Sequence, residues 1–100
     1  MPVTSVPLFG GLTTLGSNAT RLADDDTPMC QLTIRSADTA ALIYFGNSTV
    51  TNADTLAHGR ISGGEWHVWG PYESGRGIRP SQIFLAGTAG DKVLWSGFPA

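Results

Sequence analysis

The sequence is poor in charged side chains. Aspartate, glutamate, lysine and arginine together make up 14% of its 100 residues, against roughly 25% in an average globular protein. The hydrophobic content of 41% is ordinary. A small monomer needs charged surface to remain soluble, so this deficit predicts that part of the exterior is covered by copies of the chain or by another protein. The alternative is a monomer coated with Ser, Thr, Asn and Gly side chains.

Cysteine, basic clusters and long apolar runs are also scarce, and each absence removes a class of function. Cys30 is the single cysteine, so no internal disulfide and no cysteine metal site is expected, which fits a reducing compartment. The net charge is −2 and no basic block occurs, so nucleic acid is not an expected partner. The N-terminus lacks a signal-peptide pattern and no segment approaches the ~20 apolar residues of a membrane span, so no membrane partner is expected.

Residues 1–27 differ from the rest of the chain. They contain scattered prolines and glycines, isolated apolar residues and the acidic triplet Asp24-Asp25-Asp26, and no helical or strand periodicity holds for long. The apolar content exceeds that of typical disordered tails. We therefore expect an extended N-terminal arm over residues 1–27, ordered by lying across a neighbour, and one domain over residues 28–100. The triplet lacks the alternating oxygen ligands of a calcium loop and is interpreted as a solvated turn.

From Met29 onward the pattern indicates β-structure. Cys30, Leu32 and Ile34 alternate with polar residues, as expected for a strand with one face on a core. No segment has the apolar periodicity of a helix. The predicted fold class is therefore all-β, an antiparallel β-sandwich or small barrel of about six to eight short strands with an extended N-terminal arm. The further predicted strands are residues 41–45, 49–51, 60–61, 65–69, 83–86 and 93–96.

Glycine-rich connections separate the later strands. Ser62-Gly63-Gly64 and residues 87–91 have the length and composition of hairpin turns, so each predicts a β-hairpin between its flanking strands. The segment 70–77 is too rich in glycine and proline for regular structure and predicts an exposed loop. Arg76 and Arg79, in and just after this loop, either meet an acidic patch on a neighbouring protein or are solvated.

The stretch Glu65-Trp66-His67-Val68-Trp69 is unusually aromatic. On a strand, Trp66 and Val68 share one face, which suits a core, while Glu65, His67 and Trp69 share the other. We interpret the second set as a surface group in which Trp69 contacts a partner or a sugar ring. The alternative is that Trp69 closes the end of the sandwich beside the following loop.

Catalysis and metal binding are not predicted from these residues. Glu65 and His67 would lie side by side, yet no nucleophile motif accompanies them. His58 and His67 are the only histidines and are not spaced as a metal pair on one element. The sequence therefore predicts a protein that is not an enzyme, with no catalytic residue, no metal ligand and no cofactor.

The order of motifs resembles that of small all-β structural proteins of tailed bacteriophages. The resemblance covers about the last seventy residues and is carried by CQLTIR, LIYFGNSTV, ISGGE, GPY and IFLAGTAGDKVLW. Some of these proteins are capsid decoration or cement proteins, commonly trimeric. The resemblance names no binding residue in this chain.

The resemblance implies a virion structural protein that is made in the host bacterial cytoplasm. It would bind the major capsid protein on the outside of the phage head as a homotrimer and clamp neighbouring capsomers. The alternative is a carbohydrate- or receptor-binding module of a phage tail, fibre or baseplate, in which Trp69 and Tyr72 stack on sugars. The residues that we expect to form the interface are Val6, Leu8, Phe9, Leu12, Trp69, Tyr72, Arg76 and Arg79.

Overall fold

The computed structural model describes residues 9–37, 42–51, 57–73 and 76–99, and these residues form eight β-strands in two four-stranded antiparallel sheets. The predicted all-β sandwich is confirmed. A short 3-10 turn, Pro80–Gln82, precedes the seventh strand. The strands are β1 (Phe9–Thr14), β2 (Thr20–Arg21), β3 (Met29–Ser36), β4 (Ile43–Gly46), β5 (Gly59–Ile61), β6 (Trp66–Trp69), β7 (Phe84–Ala86) and β8 (Lys92–Pro99).

The strand order is that of a jelly roll. The first sheet has the order β1-β8-β3-β6, and the second has the order β2-β7-β4-β5. The pairs β1–β8, β2–β7, β3–β6 and β4–β5 are the successive rungs of one long antiparallel hairpin. Wrapping that hairpin brings β8 against β3 and β7 against β4, which closes the two sheets of an eight-stranded jelly roll.

The core lies between the sheets and is built by alternation. In β3 the side chains of Leu32 and Ile34 are fully buried, whereas Arg35 between Ile34 and Ser36 is exposed. The second sheet faces them with its own apolar side chains, and the connecting segments add others. The buried core consists of Leu15, Leu22, Met29, Leu32, Ile34, Ile43, Phe45, Ile61, Ile83, Leu85, Val93 and Trp95.

Part of the expected N-terminal arm belongs to the sandwich. β1 pairs with β8 along its whole length, and β2 pairs with β7, so the expectation of an arm is wrong for residues 9–22. β1 contains Gly10 and Gly11, and because glycine weakens strands the sequence pattern did not predict a strand here. The Trp95 indole, opposite Gly11 on β8, lies where a side chain at Gly11 would be and supplies the packing that the glycine lacks. Residues 1–8 lie outside the described residues.

The two predicted hairpins are connections between sheets. β5 pairs with β4 in the second sheet, whereas β6 pairs with β3 in the first. β7 and β8 are likewise divided between the second and the first sheet. Both connections do contain tight turns, with Glu65 N–H donating to Ser62 O at 2.9 Å and Asp91 N–H donating to Thr88 O at 3.1 Å. The two turns were therefore predicted correctly, but a turn does not specify which strands pair.

The predicted strand over residues 49–51 is a turn. Val50 N–H donates to Asn47 O at 3.0 Å, and the Asn47 side chain accepts from Thr49 N–H at 3.0 Å. Asparagine often satisfies the backbone in this way, and the local bond replaces a strand ladder. Val50 is nonetheless buried, on the outer side of the second sheet.

A matched pair of leucines tests the assignment of the two faces of the first sheet. We expect Leu32→Ala to lower the free energy of unfolding by about 2 to 5 kcal/mol, because Leu32 is fully buried and truncation leaves a cavity. Leu94, on the neighbouring strand, is 43% exposed on the opposite face, so Leu94→Ala should cost less than about 1 kcal/mol. Urea denaturation measures both changes. Equal losses would contradict the assignment.

Candidate interaction surface

β6 turns its two most exposed apolar side chains away from the core. Strand pairing sets Trp69 opposite Leu32 and His67 opposite Ile34, so Trp69 and His67 share the inner face with these buried residues. Trp66 and Val68 must then point outward, and they are 62% and 45% exposed. The interpretation of Trp66 and Val68 as core residues is therefore wrong. Their hydrophobicity suggested the core, but the register of β6 against β3 decides the face.

The outer face of the first sheet carries exposed apolar side chains on β1, β8 and β6, whereas β3, between β8 and β6, contributes Gln31, Thr33 and Arg35. One row of directly paired residues runs from Leu12 on β1 through Leu94 and Arg35 to Trp66 on β6. Val68 lies in the next row beside Thr33, and Phe98 on β8 lies opposite Gln31. We call the exposed set the outer apolar face, and its members are Leu12, Val68, Leu94, Phe98 and Trp66, which are between 43% and 62% exposed.

The charge on this face has one sign. Arg35 lies in the middle of the row, with its guanidinium carbon over the Trp66 ring and 5.2 Å from the ring centre, a distance at which the cation and the aromatic ring attract each other. Lys92 lies at the end of β8, opposite Thr14. None of the outward-facing strand residues of this sheet is acidic, and Arg35 forms no ion pair with a described residue. The outer apolar face is therefore weakly cationic in a chain that is acidic overall.

A shallow groove crosses the middle of the outer apolar face. Its lining combines hydroxyl groups, the guanidinium and apolar side chains, so it offers hydrogen-bonding groups beside aromatic surface. The lining residues are Thr33, Arg35, Trp66, Leu94, Trp95 and Ser96.

The second sheet differs because its outer face is covered by the chain itself. Tyr44, Ala86 and Val50 are buried there and form a small second core. Partly buried residues pack against it, namely Ala19 and Ala57 from connecting segments and Phe84 from β7. Connecting segments therefore cover apolar side chains on the outer face of the second sheet, whereas the apolar side chains on the outer face of the first sheet stay exposed to solvent.

The predicted interface residues of the N-terminal segment fall on different faces. Phe9 is half-buried and packs against the core, whereas Leu12 is 54% exposed on the outer apolar face. Val6 and Leu8 lie outside the described residues, so their role as arm contacts stays a prediction.

The other predicted interface residues do not form one edge. Trp69 is partly buried and meets the Phe45 ring edge-on, with centroids 5.2 Å apart. Tyr72 is 39% exposed in the loop after β6, and Arg76 is exposed in the same loop. Arg79 lies beside Asp26 of its own chain, with Nε 3.8 Å from Oδ1. The inward packing of Trp69 matches the alternative in which it closes the sandwich, and contact of these residues with a partner stays a prediction.

Glu65 and His67 have separate environments. The Ser62 N–H donates to Glu65 Oε1 at 2.8 Å, and this hydrogen bond, with help from the Ser62 side chain, lowers the pKa of the carboxyl group. The His67 ring packs against the rings of Phe45 and Trp69, with centroids 4.3 and 4.5 Å away. Burial there lowers the pKa of His67 because the charged imidazolium loses its hydration.

Sequence reasoning missed most of the outer apolar face. Arg35, Trp66, Val68, Leu94 and Phe98 were not among the expected interface residues. One signal was present: Val93, Leu94 and Trp95 are consecutive apolar residues on a predicted strand, so both of its faces had to be apolar.

Comparison with known proteins does not identify a relative. No protein-family model, no curated protein and no solved structure matches the chain. Within the described residues, no group of three or more His, Cys, Asp or Glu side chains is placed to hold a metal ion. No helix in that part of the chain is long and apolar enough to cross a membrane.

The His67 environment predicts a pH-dependent stability. The folded-state pKa lies below the unfolded value of about 6.5, so the unfolded chain binds the proton more tightly. Stability should be fully present above about pH 6.5 and fall as the pH drops from there towards the lowered folded-state pKa. Thermal unfolding between pH 7.5 and 5.5 measures this fall.

The matched variants separate His67 from other titrating groups. His67→Phe keeps an aromatic ring beside Phe45 and should flatten the profile over this pH range, because the group whose pKa is lowered on folding is removed. His58→Gln, which removes the other histidine of the sequence, is the control variant. An equally steep profile in His67→Phe would contradict the assignment.

Proposed function

We propose that this chain is a capsid decoration protein of a tailed bacteriophage, which binds the outside of the head and stabilises it by clamping neighbouring capsomers. The observation that carries the proposal is the outer apolar face of the first sheet. Five large apolar side chains are exposed together on this one face, on both sides of the polar strand β3, and apolar surface gathered in this way and bordered by polar groups is typical of interaction sites. Residue types point the same way, because Trp and Arg are enriched among the residues that dominate protein interfaces.

The fold is compatible with this role without deciding it. Eight-stranded jelly rolls occur in viral capsid proteins and in lectins, and a fold alone does not specify a function. The resemblance of the strand and turn motifs to phage structural proteins supports the choice of a virion partner. The low content of charged residues fits a surface that is largely covered after assembly.

The proposed mechanism is thermodynamic. A protein that binds only the mature shell stabilises that shell by mass action. We further propose a homotrimer, because three linked copies bind through high effective concentration even when each contact is weak. The major capsid protein is the proposed partner, and the phage head assembled in a bacterial cytoplasm is the proposed location.

Binding to phage heads tests the function directly. We expect the purified chain to co-sediment saturably with mature heads made by a phage from which this gene has been deleted. The bound chain should also raise the temperature at which those heads release their DNA, because it binds only the intact lattice. Immature shells of the same phage are the control and should bind less. The absence of saturable binding to mature heads would contradict the proposal.

A second function, carbohydrate binding, is favoured by one observation. Trp66 is 62% exposed and lines the groove together with Thr33, Arg35 and Ser96, so a sugar ring has an aromatic surface to stack on and hydrogen-bonding groups beside it. In this alternative the proposed stacking residue is Trp66, since Trp69 packs inward. The module would then belong to a tail, fibre or baseplate.

A glycan array discriminates between the two functions. Carbohydrate binding predicts saturable binding of a defined sugar that is lost in Trp66→Ala and kept in Tyr72→Ala, whose side chain is also exposed. The decoration function predicts no saturable sugar binding by any of the three proteins. The alternative fails if the wild-type chain binds no glycan.

A further inference from the structure

The outer apolar face resembles the centre of a protein interface in its size and residue composition. Strands lie about 4.8 Å apart and rise about 3.4 Å per residue, so the area from β1 to β6 and from Leu94 to Phe98 measures about 14 by 14 Å. A stable interface buries about 800 Å² on each partner. The face is thus large enough for the desolvated centre of a contact, and surrounding residues must form its rim.

Arg35 restricts what this centre can bind. It lies between Leu94 and Trp66 in one row across the sheet, so a partner that covers these two side chains also removes water from the guanidinium. A buried charge without a partner is strongly unfavourable, whereas a carboxylate can accept two parallel hydrogen bonds from an arginine. The occupant must therefore supply an acidic group close to Arg35.

A second copy packed face to face does not meet this requirement. The outward-facing strand residues of the first sheet include Arg35 and Lys92 and no aspartate or glutamate. Two such faces in contact would bury two guanidinium groups with no counterion between them. The charge pattern thus favours a different protein surface.

We propose that the outer apolar face is the docking surface for a capsid surface that presents apolar side chains around an exposed carboxylate, which pairs with Arg35. The inference rests on the proposed function and adds to it the face and the chemistry of the contact. Trp66 and Leu94 provide the apolar contact, and Arg35 sets the orientation. Trimer contacts, in this arrangement, use other surfaces of the chain.

The chain contains a matched control for Arg35. Arg21, on the second sheet, also lies over an aromatic ring, with its guanidinium carbon 5.4 Å from the centre of the Phe84 ring, and half of its side chain is exposed. Arg35→Glu and Arg21→Glu therefore make the same change of charge on an arginine that covers an aromatic side chain. Arg21 differs in that it also pairs with the fully exposed Asp24, at 3.8 Å. Circular dichroism and thermal unfolding of each variant establish that the fold is retained.

Affinity for mature heads that lack the protein is the measurement. We expect Arg35→Glu and Trp66→Ala each to weaken binding by at least about tenfold, and Arg21→Glu to bind like the wild type. Raising the salt concentration should weaken wild-type binding, and this dependence should be shallower in Arg35→Gln, which lacks the charge. Equal salt dependence in both would overturn the pairing with a carboxylate.

The remaining outcomes separate this inference from the proposed function. If the wild type binds heads and both outer-face variants bind equally well, the docking surface is wrong and the decoration function stands. If the wild type does not bind heads, the function fails and the docking proposal fails with it. Sedimentation of the free chain tests whether a second copy occupies this face. If the wild type forms an oligomer that dissociates in Trp66→Ala and in Arg35→Glu, the face serves self-association and the proposal is overturned.

Discussion

Strand alternation in β8 is the constraint on which the surface of this molecule depends. Val93 and Trp95 fill the core, so Leu94 between them must face outward. A register shift of one residue would only exchange the sets, burying Leu94 and exposing Val93 and the larger Trp95. No register of this strand removes apolar surface from water on both sides. The exposure of apolar side chains on the outer side of β8 therefore follows from the sequence of this strand, and only a covering layer can bury them.

The two sheets differ in how far their outward apolar side chains are buried. Tyr44 and Ala86 on the second sheet also point away from the main core, yet Val50 and neighbouring segments bury them in a second cluster. The first sheet has edge strands, β1 and β6, whose outward side chains include Leu12 and Trp66, both more than half exposed. Since the same chain covers one sheet and leaves the other open, exposure is a local property of the first sheet. This asymmetry leaves the outer apolar face as the sheet face whose large apolar side chains stay exposed.

The fold class was predictable from the sequence, but the pairing of strands and the site were not. Alternation around Leu32 and Ile34 predicts β3 correctly, and the turns at Ser62 and at residues 87–91 exist. Local chemistry does not specify which sheet the next strand joins, so both hairpin predictions were wrong. β1 was missed because its packing comes from Trp95, more than eighty residues away in sequence. Trp66 was assigned to the core because hydrophobicity cannot distinguish two apolar faces without the register.

The few charged groups are distributed unevenly, and this gives the surface two distinct sides. Arg21 and Asp24 pair at 3.8 Å, as do Arg79 and Asp26, and the Ser81 hydroxyl donates to Asp26 at 2.7 Å. Exposed pairs of this kind contribute little to the free energy of unfolding because both side chains stay hydrated. None of them belongs to the strands of the outer apolar face, where Arg35 lies over the Trp66 ring and forms no ion pair with a described residue. The paired charged groups therefore lie away from the outer apolar face, and Arg35 is the charged group in the central row of that face.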